Sequence, residues 1–265
     1  MEKSVQTDFF RKQKWGFLLL AALLLAIYFG AAGYVEFDLW RSLPAIPESF
    51  VWLFKNFVPT ETSLGYLPLI AEKLLETILM AVAATMSATV MAFLVAVLGS
   101  REIGLNPLTK AFGRIVASFF RNIPIVVWGM ILLLSFKQSE LTGYLAITFT
   151  TFGYLTRSFM ETIDEVAGST IEALKATGAT YFQIIFQGVL PMAAGQLISW
   201  VLFLIENNIR DATLVGILTG TGIGFLFDMY YKKFQYDVVG LITLLIVIGV
   251  VLLELISNQL RRVIL

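Results

Sequence analysis

Long apolar runs separated by short polar connections dominate this chain. Six of them reach the roughly twenty residues that a helix needs to cross a bilayer core of about 30 Å. They predict membrane spans at residues 15–34, 76–98, 116–136, 141–160, 192–213 and 238–256. Hydrophobic residues make up 58% of the sequence and charged residues 14%, whereas soluble domains are about a quarter charged. The pattern predicts an all-α polytopic membrane protein with about six transmembrane helices in the lipid bilayer.

The first run also fits a second interpretation. Lys3, Arg11, Lys12 and Lys14 precede an apolar stretch that ends in small residues, as in a secretory signal peptide. The stretch at 15–34 is nevertheless long enough to span a membrane. We therefore expect it to be a retained transmembrane helix.

Lysine and arginine are distributed unevenly between the two sets of connections. The poorer set holds Arg41, Lys55, Lys73, Lys137, Lys232 and Lys233. The richer set holds Lys3, Arg11, Lys12, Lys14, Arg101, Lys110, Arg114, Arg121, Arg157, Lys175, Arg261 and Arg262. Because cytoplasmic connections carry the excess of positive charge, both termini and the polar segment 164–191 are expected in the cytoplasm.

The connection between the first two spans contains four prolines, which disfavour long regular structure. Residues 48–57, between Pro47 and Pro59, predict a short helix at the membrane interface, where Trp52 and Lys55 suit the headgroup level. We therefore divide the chain into an N-terminal helix with its external connection, residues 1–75, and a core domain, residues 76–265. Segment 164–191 is a polar connection within that core.

Segment 164–191 has the pattern of a helix-turn-helix. Ser169-Thr170-Ile171-Glu172 fits a capping box and predicts a helix start. Gly178 permits a left-handed residue at the end of that helix, and 179–189 predict a second helix before Leu190-Pro191. An apolar face on this second helix is expected to pack either against the protein's own spans or against an external partner; it consists of Phe182, Ile185, Phe186 and Val189.

Two neighbouring features carry simpler expectations. Glu161, Asp164 and Glu165 predict an acidic edge that faces solvent or a partner. In Arg121-Asn122-Ile123-Pro124, the proline is able to bend or start the helix of the third span.

Glu172-Ala173, with Gly178 six residues after the glutamate and Leu190-Pro191 beyond, resembles the EAA motif of type I ABC importer permeases. The resemblance implies the MetI-like permease fold and a coupling helix that binds a cytoplasmic ATPase subunit. Its residues here are Glu172, Ala173, Leu174, Gly178, Ala179 and Phe182. Leu174 and Gly188 depart from the general pattern. The resemblance further implies two ATPase copies, a second permease subunit that is identical or paralogous, an extracytoplasmic binding protein and the bacterial cytoplasmic (inner) membrane.

The fifth predicted span ends in an unusual charged stretch with Glu206, Asn207, Asn208 and Arg210. At helical rise from the cytoplasmic start, this stretch is expected in the outer part of the membrane. Glu206 and Arg210 are four residues apart, which suits an ion pair on one helix face. That pair is either purely structural or lines a pathway, where a guanidinium group matches a tetrahedral oxyanion.

The glycine-rich stretch 216–224 follows at the predicted membrane exit. It is not a dinucleotide site, because no strand precedes it. It fits either an outer gate or an ordinary close-packed turn. With the preceding stretch it supplies the further candidate pathway or gate residues Thr213, Thr219, Thr221, Gly222 and Gly224.

Glu206-Asn207-x-Ile209-Arg210-x-Ala212-Thr213-x-Val215-Gly216, followed by Gly222-Ile223-Gly224, resembles the signature of phosphonate importer permeases, the PhnE family. Thr219 and Thr221 stand where that family usually has glycine. The resemblance implies import of phosphonate or a related phosphorus oxyanion, such as phosphite or a phosphate ester, delivered by a phosphonate-binding protein. Methionine, a quaternary amine or phosphate stays open as the substrate, and so does a gradient-driven transporter or channel.

Composition excludes several other classes of function. The sequence contains no cysteine and no histidine, so we expect no metal site and no catalytic nucleophile built on them. Its formal charge is zero, which gives no reason to expect nucleic acid. No phosphate-binding loop occurs. ATP and magnesium are therefore expected in a separate ATPase subunit, and this chain is expected to be a non-catalytic subunit without a cofactor.

Overall fold

Helices and short connections make up the whole of the part that the computed structural model describes. This part is residues 2–264, without the side chains of residues 2–11, 39, 167, 169, 170, 263 and 264. It contains no strand. The all-α prediction is confirmed. The chain divides into two units, residues 1–56 and 57–265.

The first unit contains three helices: α1 (Glu2–Tyr34), α2 (Leu39–Ser42) and α3 (Ala45–Asn56). The stretch Lys12–Tyr34 of α1 is apolar and long enough to cross a membrane, and none of the side chains of its most apolar window is buried. Helix α3 confirms the short helix predicted after Pro47 but begins before it, which proline permits because the first helical turn needs no amide donor.

The second unit is a helical bundle built around one long central helix. That helix, α8 (Glu140–Ala176), packs against α5, α6, α7 and α10. The elements of the unit are α4 (Glu61–Leu64), α5 (Leu67–Gly99), α6 (Pro107–Asn122), α7 (Ile125–Phe136), α8, α9 (Tyr181–Gln183), a π-helical segment (Ile184–Val189), α10 (Leu190–Thr219), α11 (Gly222–Lys232) and α12 (Tyr236–Ile264).

Four helices of the described residues are long and apolar enough to span a membrane, and a fifth if the bent pair α6 and α7 is one span. Helices occupy all six predicted positions, but the fourth, within α8, is not apolar enough to meet the same criterion. This stretch is rich in threonine. Thr148 and Thr156 are buried and donate hydrogen bonds to backbone carbonyls one turn earlier. Because α8 is surrounded by protein helices, it needs little surface that suits lipid.

The predicted third span, 116–136, is interrupted at Pro124, where the sequence predicts a bend or a helix start. It is broken between α6 and α7, which meet at an angle of 89°. Pro124 lacks a backbone N–H and forces Ile123 into an extended conformation, with φ −94° and ψ 117°. The Trp128 ring stacks on Phe120 across the bend, with centroids 5.3 Å apart.

A row of small side chains lets α5 approach its neighbours closely. Five alanines of this helix are completely buried at helical spacing: Ala81, Ala84, Ala88, Ala92 and Ala96. In membranes, small residues favour helix association because they bring backbones into van der Waals contact. The row holds α5 against α8 and α10, the helices that carry the candidate functional residues.

Candidate functional site

Helix α8 runs without a break into the predicted coupling segment. The capping box predicted at Ser169 is wrong, because the backbone around residue 169 lies inside α8. Ile163 and Ile171, on either side of it, are buried in the core of the second unit. This packing favours a continuous helix over a local start. The side chains of Ser169 and Thr170 themselves lie outside the described residues.

Gly178 ends α8 in the left-handed conformation that the sequence predicts, with φ +80°. The Ala179 N–H donates to the Leu174 carbonyl at 3.1 Å, and the Gly178 N–H donates to the Lys175 carbonyl at 3.0 Å. This pair of bonds is a Schellman motif, which satisfies the last carbonyls of a helix. The turn that follows Glu172 is therefore defined by the backbone.

The predicted second helix, 179–189, is not a separate element. Helix α9 passes into the π-helical segment, which continues into α10 at Leu190-Pro191. In the π-helical segment the Leu190 N–H bonds to the Ile185 carbonyl, five residues back. Pro191 is accepted because it stands in the first turn of α10.

The predicted apolar face of this segment is divided between core and surface. Ile185 and Val189 are buried in the core, whereas Phe182 is 69% exposed and Phe186 54% exposed. Ile185 and Val189 thus pack against the protein's own helices. The two phenylalanines form an apolar surface that is exposed in the described part of the chain.

The six predicted coupling residues lie together at the end of α8 and the turn after it. Leu174 and Ala179 are half-buried and pack against the core. Glu172, Ala173, Gly178 and Phe182 are exposed. We call these four residues, with Phe186, the coupling surface. It combines one carboxylate and two aromatic rings around the turn at Gly178.

A carboxylate that the sequence predicts only as part of an acidic edge has a specific role. Asp164 of α8 accepts hydrogen bonds from the Ser100 hydroxyl, the Arg101 N–H at 2.8 Å and the Glu102 N–H at 3.3 Å. Ser100 is completely buried. Asp164 thereby fixes the turn after α5 to α8, about two helical turns before Glu172.

The predicted ion pair of α10 is present. Arg210 donates to Glu206, whose side chain is 13% exposed, while that of Arg210 is 49% exposed. Arg261 of α12, which sequence reasoning did not connect with this stretch, lies with Nη2 4.0 Å from Glu206 Oε2. Helix α10 extends to Thr219, so Glu206 lies near the middle of this helix. Its expected position in the outer part of the membrane stays a prediction.

The two asparagines beside this pair differ in their surroundings. Asn208 is buried, and its amide nitrogen donates to Thr85 of α5 and Thr151 of α8, both at 2.8 Å. Asn207 is half-buried. Asn208 thus connects three helices of the bundle. The two threonines were missed from sequence, although polar residues in apolar helices were the available signal.

One face of α10 is exposed or half-buried in the part of the chain that the structure describes. Its exposed or half-buried members recur at helical spacing: Met192, Gln196, Ser199, Phe203, Asn207, Arg210 and Leu214. Amide, hydroxyl and guanidinium groups on such a face are poorly suited to lipid. The face is therefore suited to a polar pathway or to another protein.

The glycine-rich stretch forms a tightly packed turn between α10 and α11. Thr213 is half-buried, Thr219 is buried, and the Thr219 and Thr221 hydroxyls lie 2.9 Å apart. Gly222 begins α11 with φ +59°. Gly224 lies so close to α10 that a Cβ atom there would be 2.0 Å from the Thr213 carbonyl oxygen. Of the two expected uses, the geometry is that of a close-packed turn.

Comparison with protein families gives a match over most of the second unit. Residues 88–264 match the family described as binding-protein-dependent transport system inner membrane component. Among solved structures, the MetNI methionine ABC transporter in inward-facing conformations has a chain with a TM-score of 0.69 and 20% identity. The alignment covers 78% of this chain and 99% of that chain. This likeness confirms the MetI-like fold.

Individual relatives are permease proteins. The phosphite transport system permease protein PtxC of Stutzerimonas stutzeri is 29% identical over 94% of this chain and 90% of its own length. A putative cryptic phosphonate transport system permease protein, PhnE2 of Escherichia coli (strain K12), is 34% identical over 44% of this chain and 97% of its own length. With a matching fold and a family match that includes α8, the turn at Gly178 and α10, this chain belongs to the binding-protein-dependent transport system inner membrane components.

Proposed function

We propose that this chain is the transmembrane subunit of an ATP-driven importer for phosphonate, phosphite or a related phosphorus oxyanion. The observation that carries the substrate class is the similarity to the phosphite permease PtxC along 94% of this chain. The phosphate-import permease protein PhnE of Mycolicibacterium smegmatis is 27% identical over 72% of this chain and 36% of its own length, and it represents the alternative substrate, phosphate. The methionine transporter supports the fold alone, because its identity is 20%.

The sequence of this chain holds no phosphate-binding loop. ATP and magnesium bind two copies of a separate cytoplasmic ATPase, which contacts the coupling surface. An extracytoplasmic binding protein delivers the substrate, and a second permease subunit, identical or paralogous, completes the pathway. The complex lies in the bacterial cytoplasmic membrane with both termini of this chain in the cytoplasm, as the distribution of lysine and arginine indicates.

Helix α8 gives this arrangement a mechanical route. It is about 55 Å long at 1.5 Å per residue and continuous from Glu140 to the coupling surface. Movement of the turn at Gly178 by the ATPases displaces α8 as a rigid rod. Asp164 then carries α5 with it through the Ser100–Glu102 turn. The helix bundles thus rock between inward-open and outward-open states.

In this mechanism the exposed or half-buried face of α10 lines the pathway. Arg210 offers a half-exposed guanidinium group, which matches tetrahedral oxyanions through paired N–H donors. Glu206 keeps this group in position. The close-packed turn at Thr219–Gly224 closes the end of α10 next to this face.

Growth and uptake test this function directly. We expect deletion of the gene to abolish growth on phosphite or methylphosphonate as the sole phosphorus source, and reintroduction to restore it together with ATP-dependent uptake. Growth on phosphate and uptake of methionine should not change. A deletion strain that imports both phosphorus compounds normally but loses methionine or phosphate uptake would contradict the assigned substrate class.

A further inference from the structure

The guanidinium group of Arg261 has hydrogen-bonding capacity that the chain does not use. Its Nε and Nη2 atoms are buried without a hydrogen-bond partner among the described residues. Nη1 makes one long contact, 3.5 Å, with Asn258 Oδ1. A charged donor that is removed from water and left without an acceptor destabilises the fold more than a neutral one does. This destabilisation falls when a bound ligand supplies the missing acceptor to the Arg261 guanidinium group.

The nearest carboxylate does not meet this need. Glu206 already accepts from Arg210, and its other oxygen lies 4.0 Å from Arg261, which is beyond hydrogen-bond distance. Among the described residues, Glu206 is the carboxylate that lies within 4.0 Å of Arg210 and of Arg261. The cluster therefore holds two guanidinium groups and one carboxylate. This leaves a positive charge between two apolar helices, α10 and α12.

We propose that Arg261 and Arg210 together form an oxyanion site in the transport pathway, in which Arg261 is a substrate-binding residue. This inference rests on the proposed function and names the groups that hold the substrate. When the helix bundles rock and α12 moves away from α10, a tetrahedral phosphorus oxyanion supplies acceptors for the Nε and Nη2 donors of Arg261 and for the exposed side of Arg210. The oxyanion also neutralises the second positive charge of the cluster, which the single Glu206 carboxylate does not balance.

Glu206 makes this site weak enough for transport. Its carboxylate keeps Arg210 oriented and competes with the substrate for the same donors, so that the oxyanion is released again. Arginine is required at position 261, because a lysine ammonium group is a point charge without the planar pair of N–H donors. Substrates without an anionic group gain nothing from the cluster.

Arg262 provides a matched control in the same helix. It is exposed, it follows Arg261 directly and its replacement removes the same charge from the same end of α12. We suggest comparing R261Q, R261K, R262Q, E206Q and the double variant E206Q/R261Q. Each is purified as the full complex with its ATPase and binding protein and is reconstituted into vesicles, and ATP-dependent phosphite uptake is measured.

We expect R261Q and R261K to lower phosphite uptake by about tenfold or more, as for a lost hydrogen bond between charged groups. R262Q should match the wild type. The double variant should stay as low as R261Q, because the substrate still lacks its donors. If Arg261 only balances Glu206, removal of both charges restores uptake to the level of E206Q, and the inference is wrong. Equal uptake by R261Q and R262Q also overturns it.

A binding measurement covers the case in which R261Q does not fold. Phosphite should raise the unfolding temperature of the wild-type and R262Q complexes in detergent, but not that of E206Q/R261Q, whose paired charges are both removed. Stabilisation of the double variant equal to that of the wild type would overturn the inference. A wild-type complex that hydrolyses ATP but takes up neither phosphite nor methylphosphonate contradicts the proposed function itself. Normal wild-type uptake with an unaffected R261Q contradicts only the role of Arg261.

Discussion

The Asp164 carboxylate of α8 accepts a hydrogen bond from the Arg101 backbone N–H, 2.8 Å away, and so joins the end of α5 to the helix that leads to the coupling surface. The same oxygen accepts from the buried Ser100 hydroxyl. Asp164 is 64 positions from Ser100 and 63 from Arg101 in sequence, and these contacts form one joint between two long helices. In the proposed mechanism, this joint passes the movement of α8 to α5.

Replacement of Asp164 by alanine should loosen this joint. The change leaves the Ser100 hydroxyl and the Arg101 N–H without the acceptor they share, at a cost of about 1–3 kcal/mol in the free energy of unfolding. We expect a lower unfolding temperature in detergent and less substrate imported per ATP hydrolysed. Glu165→Ala is the control, because Glu165 is an exposed carboxylate on the same helix. Equal unfolding temperatures of the two variants would rule out the structural role of Asp164.

At Gly178, the effect of a substitution should depend on how easily the new residue adopts a left-handed backbone conformation. A Cβ atom there meets no other atom within 4 Å, so φ +80° is the constraint. Alanine should cost about 1–2 kcal/mol, and asparagine less. Gly168→Ala is the control, since Gly168 is helical and also has open space around it. There alanine should be neutral or stabilising. Thermal unfolding and ATP-coupled uptake of the two alanine variants measure the difference between a loss at Gly178 and no loss at Gly168. Similar losses at both positions would show that the backbone conformation at Gly178 does not matter.

Phe182 should contribute to ATPase binding without contributing to folding. Its ring is 69% exposed, so its removal creates no cavity in the core. If the ring enters a pocket of the ATPase, Phe182→Ala should weaken the association by about 2 kcal/mol. The unfolding temperature of the isolated permease should not change. Affinity for the purified ATPase is the measurement, with Phe112→Ala as control because Phe112 is 59% exposed on α6. Equal affinities of the two variants would place the ATPase contact elsewhere.

Apolar runs were sufficient to locate the membrane helices, and Gly178 was sufficient to locate the end of α8. Both signals are local. The capping pattern at Ser169 misled because burial of Ile163 and Ile171 favours a continuous helix, which no local pattern reveals. The contact between Glu206 and Arg261 joins helices that are far apart in sequence, so only the folded chain brings it out. The bend at Pro124 is only partly a local signal. The proline is evident in the sequence, but the angle depends on packing around Trp128.

Asn208 should be needed for the stability of the bundle. Its side chain donates to Thr85 and Thr151 from a buried position on α10. Hydrogen bonds between membrane helices contribute about 0.6–2 kcal/mol each, so Asn208→Ala should lower the free energy of unfolding by about 1–3 kcal/mol. Asn208→Asp should cost more, because it buries a carboxylate that cannot donate. Asn207→Ala, at the half-buried neighbour, is the control for thermal unfolding. An Asn208→Asp variant as stable as the wild type would contradict the assigned hydrogen bonds.

The turn between α10 and α11 should be intolerant of even one added methyl group. At Gly224 a Cβ atom would lie 2.0 Å from the Thr213 carbonyl oxygen, which belongs to the backbone and has no rotamer to change. Gly224→Ala must therefore push α11 away from α10, and we expect a loss of about 1–3 kcal/mol in the free energy of unfolding. Gly129 is the matched control, since a Cβ atom there would be 3.8 Å from the Leu218 side chain, an ordinary contact. Thermal unfolding of Gly224→Ala and Gly129→Ala in the same detergent measures the difference. If the two variants unfold at the same temperature, α11 is free to shift, and the stretch acts as a movable gate instead of a fixed turn.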